Sequence, residues 1–197
     1  MNVVILGRPG SGKGTQSKQV ESHFGLRHLS TGDLLRAVTK QDTPLARKIA
    51  ELIDNGNFVT DELAIEMVEQ AMASAPATGY IFDGIPRTVT QGKMLDEMLA
   101  ARGVKVDAAI ELRVSKERVR ERLRERAKVE GRVDDAPATI DRRFEVYDAE
   151  TAPLIDHYRT RRILQSIDGS GTRDEVFESI RVSLSKVSAD QSTLNGF

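Results

Sequence analysis

A glycine-rich segment near the start of the chain has residue types and a spacing that suit phosphate binding. Residues 7–16 read Gly-Arg-Pro-Gly-Ser-Gly-Lys-Gly-Thr-Gln and directly follow the apolar run of residues 3–6. Glycines let successive backbone N–H groups turn toward one anion, Lys13 can reach outer phosphates, and the helix that follows presents its positive end. The segment predicts a phosphate-binding loop between a buried strand and a helix.

The spacing matches the P-loop pattern with one departure. Gly14 stands where a magnesium-ligating Ser or Thr is usual, and Thr15 follows one residue later. A glycine-rich turn with no ligand would leave both Lys13 and the position after the first strand unexplained. GTPase-type switches need the Ser or Thr, so Gly14 disfavours that class of protein.

Two further motifs follow strand-like segments. Residues 30–36 read Ser-Thr-Gly-Asp-Leu-Leu-Arg and residues 83–87 read Asp-Gly-Ile-Pro-Arg. Helix capping and an ordinary turn account for parts of each, but they leave a positive charge, Arg36 or Arg87, unexplained at the end of each motif. Asp83 ends a strand beside the loop, where we expect it to hold magnesium through the ion's water shell.

Arginines supply the remaining charge. In the helix predicted over residues 115–127, Arg126 lies at the edge of the apolar stripe, whereas the other arginines of its row suit a solvated face. Arg143 lies within the apolar stripe of the next helix, and a buried guanidinium needs a carboxylate or a phosphate as partner. Arg132 lies in the polar loop of residues 128–137, and Arg142 points to solvent.

The elements that must position these groups alternate between strands and helices. The predicted strands are residues 3–6, 27–30, 80–83, 106–114 and 162–167, and the predicted helices are residues 13–24, 31–39, 44–55, 61–74, 88–102, 115–127, 137–160 and 173–187. Such alternation predicts an α/β fold in which a parallel sheet is covered by helices on both faces and binds ligands at the carboxyl ends of its strands. We expect residues 188–197 to be polar and frayed.

Composition limits the function classes. The chain has 197 residues, a formal net charge of -1 and no cysteine, which excludes disulfides, thiolate zinc sites and a catalytic thiol. With this net charge, the chain has no overall positive charge that would attract nucleic acid or an anionic membrane. It also has no apolar stretch that would span a bilayer and no signal-peptide pattern. We therefore expect a soluble, cytoplasmic, single-domain protein.

Taken together, these motifs resemble those of adenylate kinases, which exchange a phosphoryl group between ATP and AMP. The resemblance spans residues 1 to about 187. The matching segments are residues 7–16, 30–36, 83–87 with Gln91, 131–135, and 139–143 with Tyr147. Motifs of this kind in this order are highly specific to the family.

The resemblance implies a role for each matching residue. Catalysis would rest on Lys13, Arg87, Arg126, Arg132 and Arg143. Contacts to ATP would come from Gly10, Ser11, Gly12, Lys13, Gly14, Thr15, Arg126 and Gly171. Contacts to AMP would come from Thr31, Arg36, Asn57, Phe58, Val59, Gly84, Ile85, Pro86, Arg87, Gln91, Arg132 and Arg143.

The resemblance also implies the architecture and the partners. Residues 1–197 would form one P-loop kinase domain with three layers and a five-stranded parallel sheet, in which residues 30–59 are a helical AMP-binding flap and residues 125–135 a short lid. A short lid lacks the metal-binding insertion of longer relatives, so we expect Mg²⁺ with ATP but no structural zinc. ATP, AMP and ADP would be the ligands of a monomer that binds neither nucleic acid nor membrane.

Some alternatives and departures stay open. A pyrimidine monophosphate kinase shares most motifs, although Thr31 favours AMP because that relative typically has alanine there. A small-alcohol kinase would need Asp33 as a base, and a nucleotide-dependent switch would hydrolyse ATP without AMP. Arg8 stands where the family usually has a small residue or proline, and Ile85 where an aromatic residue is common. His23, His28 and His157 fall outside the motifs and suit surface or structural positions.

Overall fold

A parallel sheet of five strands forms the centre of the molecule, as predicted. The computed structural model describes the backbone of residues 1–194 and the side chains of residues 1–137 and 139–189. Its strands are β1 (Val3–Leu6), β2 (Arg27–Ser30), β3 (Tyr80–Asp83), β4 (Ala108–Arg113) and β5 (Leu164–Asp168). Their order is β2-β3-β1-β4-β5, and all neighbours are parallel. Because the chain passes from one side of β1 to the other after β3, the carboxyl ends of these two strands mark the topological switch point.

Helices cover both faces of this sheet. They are α1 (Lys13–Phe24), α2 (Thr31–Val38), α3 (Pro44–Asp54), α4 (Asp61–Ser74), α5 (Val89–Ala100), α6 (Lys116–Glu130), α7 (Pro137–Val146), α8 (Pro153–Thr160) and α9 (Arg173–Leu194). Within the described range, no helix combines the length and the apolar character needed to cross a membrane.

Alternation along the central strand explains the two layers of helices. Val4 and Leu6 point to one face, where they pack in a cluster with side chains of α4, α5 and α8. Val3 and Ile5 point to the other face and pack with side chains of α1 and α9. Successive strand residues face opposite sides of a sheet, so an entirely apolar strand buries both faces at once.

A third apolar cluster lies apart from these two. It joins Val114, at the end of β4, to Val119 and Leu123 of α6 and to Ile140 and Phe144 of α7. These two helices flank the predicted lid, so the cluster lies at the base of that segment.

Side-chain caps fix where the site-bearing helices begin. The hydroxyl of Ser30 accepts a hydrogen bond from the backbone N–H of Asp33 at the start of α2. Thr60 caps α4 and Thr88 caps α5 in the same way. Each cap satisfies an N–H group that has no partner within its helix, so the residue at which each helix begins is fixed.

The helical segment predicted over residues 137–160 is present, but it is not one continuous α-helix. Helix α7 ends at Val146, residues 147–151 form a π-helical turn, and α8 begins at Pro153. The wider turn is closed by a bond of 2.9 Å from the N–H of Ala152 to the carbonyl of Tyr147. Because Pro153 has no N–H to continue the ladder, the helix cannot pass through it unaltered.

Several other boundaries differ from the prediction. Helix α6 continues through Glu130 into the segment predicted as a loop, and residues 133–135 form a 3-10 turn. Strand β4 is shorter than predicted, and β5 is shifted by one to two residues. Helix α9 extends to Leu194 instead of ending at 187, and residues 195–197 of the predicted frayed end lie outside the described residues.

Candidate active site

The glycine-rich loop connects β1 to α1 and rests against α6. Gly10 has φ +84°, and a Cβ atom there would lie 2.9 Å from the carbonyl oxygen of Val119. Only glycine permits both this backbone conformation and this close approach. Lys13 folds back over the loop, where its Nζ donates to the carbonyls of Gly7 at 2.7 Å and Arg8 at 3.2 Å. The ammonium group is thus held at the mouth of the loop.

Lys13 lies in an environment that disfavours its charge. Burial lowers the pKa of Lys13 to about 8, an effect that the negative charge of Asp83 opposes and the positive charges of Arg87 and Arg143 reinforce. Desolvation penalises the ammonium form until an anion compensates it. A phosphate bound beside Lys13 would provide that compensation.

Asp83 lies next to the loop, at the end of β3. Its Oδ2 would be 3.4 Å from a Cβ atom built on Gly14, so a side chain at position 14 would fill the space in front of the carboxylate. Glycine leaves room for a hydrated cation there, and a carboxylate is a ligand type that magnesium prefers. Among the described residues, no group of three or more His, Cys, Asp and Glu side chains could hold a metal by itself.

His28 contacts this carboxylate, which the sequence did not indicate. Its Nε2 lies 3.3 Å from Asp83 Oδ2, and the two side chains are 9% and 12% exposed. His28 lies outside the sequence motifs, yet it lines the same cavity as Lys13. Its place on β2, adjacent to β3, brings it there.

One cavity of about 740 Å³ brings most of the predicted residues together at the carboxyl ends of the strands. It is lined by Gly10, Gly12, Lys13, Gly14, Thr15, Thr31, Arg36, Asn57, Phe58, Val59, Asp83, Gly84, Pro86, Arg87, Gln91, Arg126, Arg132 and Arg143. The lining does not include Ser11, Ile85 or Gly171. Ser11 and Ile85 are buried, and Gly171 lies in the loop after β5.

A fully buried carboxylate holds two of the predicted arginines side by side. Asp135 accepts two bonds from Arg126, at 2.6 and 2.7 Å, and one from Arg143 at 2.7 Å. Arg143 also pairs with Asp134 at 2.9 Å. The buried guanidinium of Arg143 therefore has two carboxylates as partners. Its side chain also lines the cavity that contains Lys13.

The outer arginines pair with acids of their own segments. Arg132 contacts Glu130 at 2.6 Å at the predicted lid, and Arg36 contacts Asp33 within α2. Although partial burial opposes the effect, hydrogen bonds from Arg36 and Ser30 lower the pKa of Asp33. Asp33 is 64% exposed, so this carboxylate is a poor general base for an alcohol.

Arg87 is held by uncharged groups. Its Nε donates to the carbonyl of Gly84 at 2.8 Å, and its guanidinium lies 4.8 Å from the centre of the Phe58 ring. The hydroxyl of Thr31 donates to the same carbonyl at 2.8 Å. Burial, followed by the charge of Arg143, lowers the pKa of Arg87 to about 10, so the group stays charged at neutral pH. A desolvated cation of this kind favours an anionic ligand.

Arg8 has a partner that the sequence did not reveal. It pairs with Asp148 at 2.8 Å, and Lys116 pairs with the same carboxylate at 2.7 Å. Asp148 belongs to the π-helical turn, whose Thr151 hydroxyl donates to the backbone carbonyl of Arg87 at 2.8 Å. One turn therefore contacts both the glycine-rich loop and the segment that carries Arg87.

Arg122 is the main cavity residue that sequence reasoning missed. Its spacing suits a solvated face, but its guanidinium donates to the carbonyls of Ser11 at 3.3 Å and Gly169 at 3.0 Å. A signal was present, because Arg122 and Arg126 are four residues apart on one helix and so share a face. Lys18 and Arg173 also line the cavity. The site can thus surround a large polyanion with positive charge.

Comparison with known proteins gives a consistent result. A family model described as "Adenylate kinase" matches residues 5–163. The chain is 45% identical over 185 residues to an adenylate kinase of Maricaulis maris, which covers 93% of this chain and 98% of that protein. It is 43% identical to an adenylate kinase of Phocaeicola vulgatus, in an alignment that covers 95% of this chain and 100% of that protein. It is 42% identical to an adenylate kinase of Caulobacter vibrioides, in an alignment that covers 96% of this chain and 100% of that protein.

Proposed function

The chain belongs to the adenylate kinase family, and we propose on that premise that its central cavity is where ATP and AMP meet to exchange one phosphoryl group. The enzyme is a phosphotransferase that catalyses ATP + AMP = 2 ADP. The observation that carries the proposal for the site is the convergence of Lys13, Arg36, Arg87, Arg126 and Arg143 on one cavity from separate parts of the chain.

The ATP phosphates bind in the glycine-rich loop. The amides of residues 10–15 surround the outer phosphates, and Lys13 and Arg126 neutralise them. The lowered pKa of Lys13 supports this assignment, because a desolvated ammonium gains most from an adjacent anion. Ser11 takes part through its backbone, since its side chain is buried, and Gly171 stays a prediction for the edge of the ATP base.

AMP binds on the opposite side of the cavity. Its phosphate is held by Arg36 and Arg87, and its nucleoside lies against residues 57–59, Thr31 and Gln91. Phe58 and the half-buried carbonyl groups around Gly84 give this side a mixed apolar and polar lining. Pro86 also lines the cavity. Ile85 contributes only by supporting this segment, because its side chain packs in the core.

Arg132 and Arg143 bridge the two nucleotides. Phosphoryl transfer passes through a loose transition state, so the protein contributes mainly by positioning reactants and compensating charge. The paired arginines have to exchange protein carboxylates for phosphates, which keeps the guanidiniums paired throughout. The AMP phosphate is largely a dianion at neutral pH and needs no base to activate it.

Magnesium accompanies ATP in this family, and here Asp83 would hold it through water. When bound, the ion would offset the negative charge of the phosphate oxygens during the transfer. The open space that Gly14 leaves in front of Asp83 supports this position. His28 supports it too, because its contact to Oδ2 restricts the orientation of the carboxylate.

Two segments close over the nucleotides. They are the AMP-binding flap of residues 30–59 and the short lid of residues 125–135, within a single domain of residues 1–197. Val129 and Val133 of the lid are 86% and 63% exposed, which suits a segment that packs more closely when it closes. Closure excludes water, which would otherwise accept the phosphoryl group. A monomeric state and a cytoplasmic location stay predictions, as does the expectation of no nucleic-acid or membrane partner.

The test is an assay of ATP consumption with and without acceptors. ADP formation should require AMP, and the rate of ATP consumption should be higher with AMP as acceptor than with CMP, UMP or a shikimate-like alcohol. Preference for CMP or UMP would instead support a pyrimidine monophosphate kinase. ATP turnover that is indifferent to AMP would support a nucleotide-dependent switch, and both outcomes would refute the proposal.

A further inference from the structure

The side-chain amide of Gln91 is buried in the cavity wall and bound at both ends. It is 1% exposed. Its Oε1 accepts a bond of 2.7 Å from the backbone N–H of Arg87, and its Nε2 donates a bond of 2.9 Å to Oδ1 of Asp61. Asp61 is the first residue of α4, and it also accepts from the hydroxyl of Thr88 at 3.2 Å. The amide is therefore held between the start of α4 and the start of α5.

These two contacts determine which way the amide points. A backbone N–H can only donate, so it requires the oxygen of Gln91, and an ionised carboxylate can only accept, so it requires the nitrogen. A flipped amide would place N–H against N–H at Arg87 and oxygen against oxygen at Asp61. Both contacts would be lost in a buried position, where unpaired polar groups are costly.

The orientation leaves one hydrogen-bond donor and one acceptor available to a ligand. Nε2 keeps its second N–H, and Oε1 keeps its second lone pair. Val59 and Ala64, which lie within three residues of Asp61 in the sequence, contribute apolar side chains to the same cavity. A cavity of this kind takes the flat, largely apolar part of a ligand and orients it through a few polar groups.

The available pair is complementary to a base with an exocyclic amino group beside a ring-nitrogen acceptor. Adenine has this arrangement, with its amino group at C6 next to N1. Hypoxanthine and guanine reverse it, because O6 accepts and N1–H donates. They would fit only against the flipped amide, which Asp61 and the N–H of Arg87 oppose.

We propose that Asp61 is a positioning residue that determines the acceptor specificity of the enzyme, by holding the Gln91 amide in the orientation that accepts 6-amino and rejects 6-oxo purine nucleotides. Asp61 acts through Gln91 and does not touch the substrate. The inference rests on the proposed function, because it requires AMP to bind on this side of the cavity.

The experiment compares AMP with IMP, which have the same ribose and phosphate and differ at C6 and N1. The kcat/KM values of both are measured with ATP for the wild-type protein, Asp61→Asn and Asp61→Ala. Glu62→Gln is the matched control, since Glu62 is the exposed neighbouring acid in the same helical turn. Asparagine keeps the size of Asp61 but can donate from Nδ2 to a flipped Gln91.

In the wild type, kcat/KM should be much higher for AMP than for IMP. Asp61→Asn should reduce the ratio of these two kcat/KM values by about tenfold, the discrimination that one buried hydrogen bond provides. Asp61→Ala should reduce it as well, while Glu62→Gln leaves it unchanged. Thermal unfolding of each variant shows whether it is folded. A merely structural defect would lower the kcat/KM values for AMP and IMP by the same factor and so preserve their ratio.

Three results would be adverse, and they are distinguishable. A wild type that transfers to neither nucleotide would refute the proposed function. A wild type that uses AMP and IMP equally would overturn the role of Asp61 while the proposed function stands. An unchanged ratio in both Asp61 variants, with AMP activity retained in the wild type, would overturn it as well.

Discussion

Lys13 should make ATP binding depend on pH in the alkaline range. Its ammonium is desolvated in the loop, and its pKa is lowered from 10.5 to about 8. Phosphate binds the charged form, so the pKa of Lys13 must be higher in the complex than in the free protein. Affinity is therefore highest well below pH 8 and falls as the pH rises through 8, because the free enzyme then loses the proton that the complex needs.

The size of the effect follows from the fraction of Lys13 that is charged. With a pKa near 8, roughly nine-tenths is charged at pH 7 and about one-tenth at pH 9. The Kd for MgATP should thus rise about tenfold between pH 7 and pH 9, and binding at pH 8.5 should take up a proton. An unperturbed lysine would give almost no change over this range.

Isothermal titration calorimetry at constant ionic strength, in buffers of different ionisation enthalpy, measures both the affinity and the proton uptake. Lys13→Arg is the control, since a guanidinium stays charged across the range and the Kd should be flat. A flat profile for the wild type, or an equal slope in Lys13→Arg, would refute the reasoning. The titration of Lys13 Nζ by NMR in the free protein, with a midpoint near pH 8, checks the pKa without any ligand.

Three further variants test the arginines. Arg143→Ala should lower kcat by at least about a hundredfold with little change in the Kd for ATP, because its charge is needed most in the transition state, and the exposed neighbour Arg142→Ala is the control. A loss confined to KM would contradict that role. Arg36→Ala should weaken AMP binding by about tenfold or more while ATP affinity is kept, and unchanged AMP affinity in calorimetry would count against the assignment. Arg8→Ala should lower kcat by only a few-fold, since its pair with Asp148 is one-third exposed, and a double-mutant cycle with Asp148→Asn should show coupling between the two residues.

Much of the sheet and of the cavity could be predicted from the sequence. Apolar residues mark β1 and most of β3, and polar residues at or directly after the end of a strand must lie at the carboxyl edge of a parallel sheet. The positions of Thr31 and Asp83 follow from that rule, and the position of Lys13 follows from the glycine spacing after β1. The five-stranded parallel sheet is confirmed, and so is the family.

The pairing of the charged groups could not be predicted. Arg143 in an apolar stripe indicates that some anion must be present, but the stripe does not say whether it is a protein carboxylate or a ligand. Asp135 precedes α7 and bonds to Arg126 on the helix before it, so the link depends on how the two helices cross. Likewise, Arg122 reaches carbonyls 47 and 111 residues away in sequence.

The break after α7 was predictable in part. Proline is a residue type that interrupts helices, but the apolar pattern continues past Pro153 to Tyr158, so the pattern predicts helix over the whole segment. A π-helical turn adds one residue to the helix and so shifts the register of everything after it. Within that turn, Asp148 contacts Arg8 of the glycine-rich loop and Thr151 contacts the backbone carbonyl of Arg87.

The separate apolar cluster between α6 and α7 also bears on the proposed closure of the lid. Val119 and Leu123 of this cluster lie against Gly10, and Arg122 of the same helix donates to the carbonyl of Ser11, so α6 contacts the glycine-rich loop directly. A rotation of the helix pair would leave the two larger clusters on either side of β1 packed, but it would have to change these contacts. We therefore expect a movement of the lid to be transmitted through α6 to the loop that holds the phosphates.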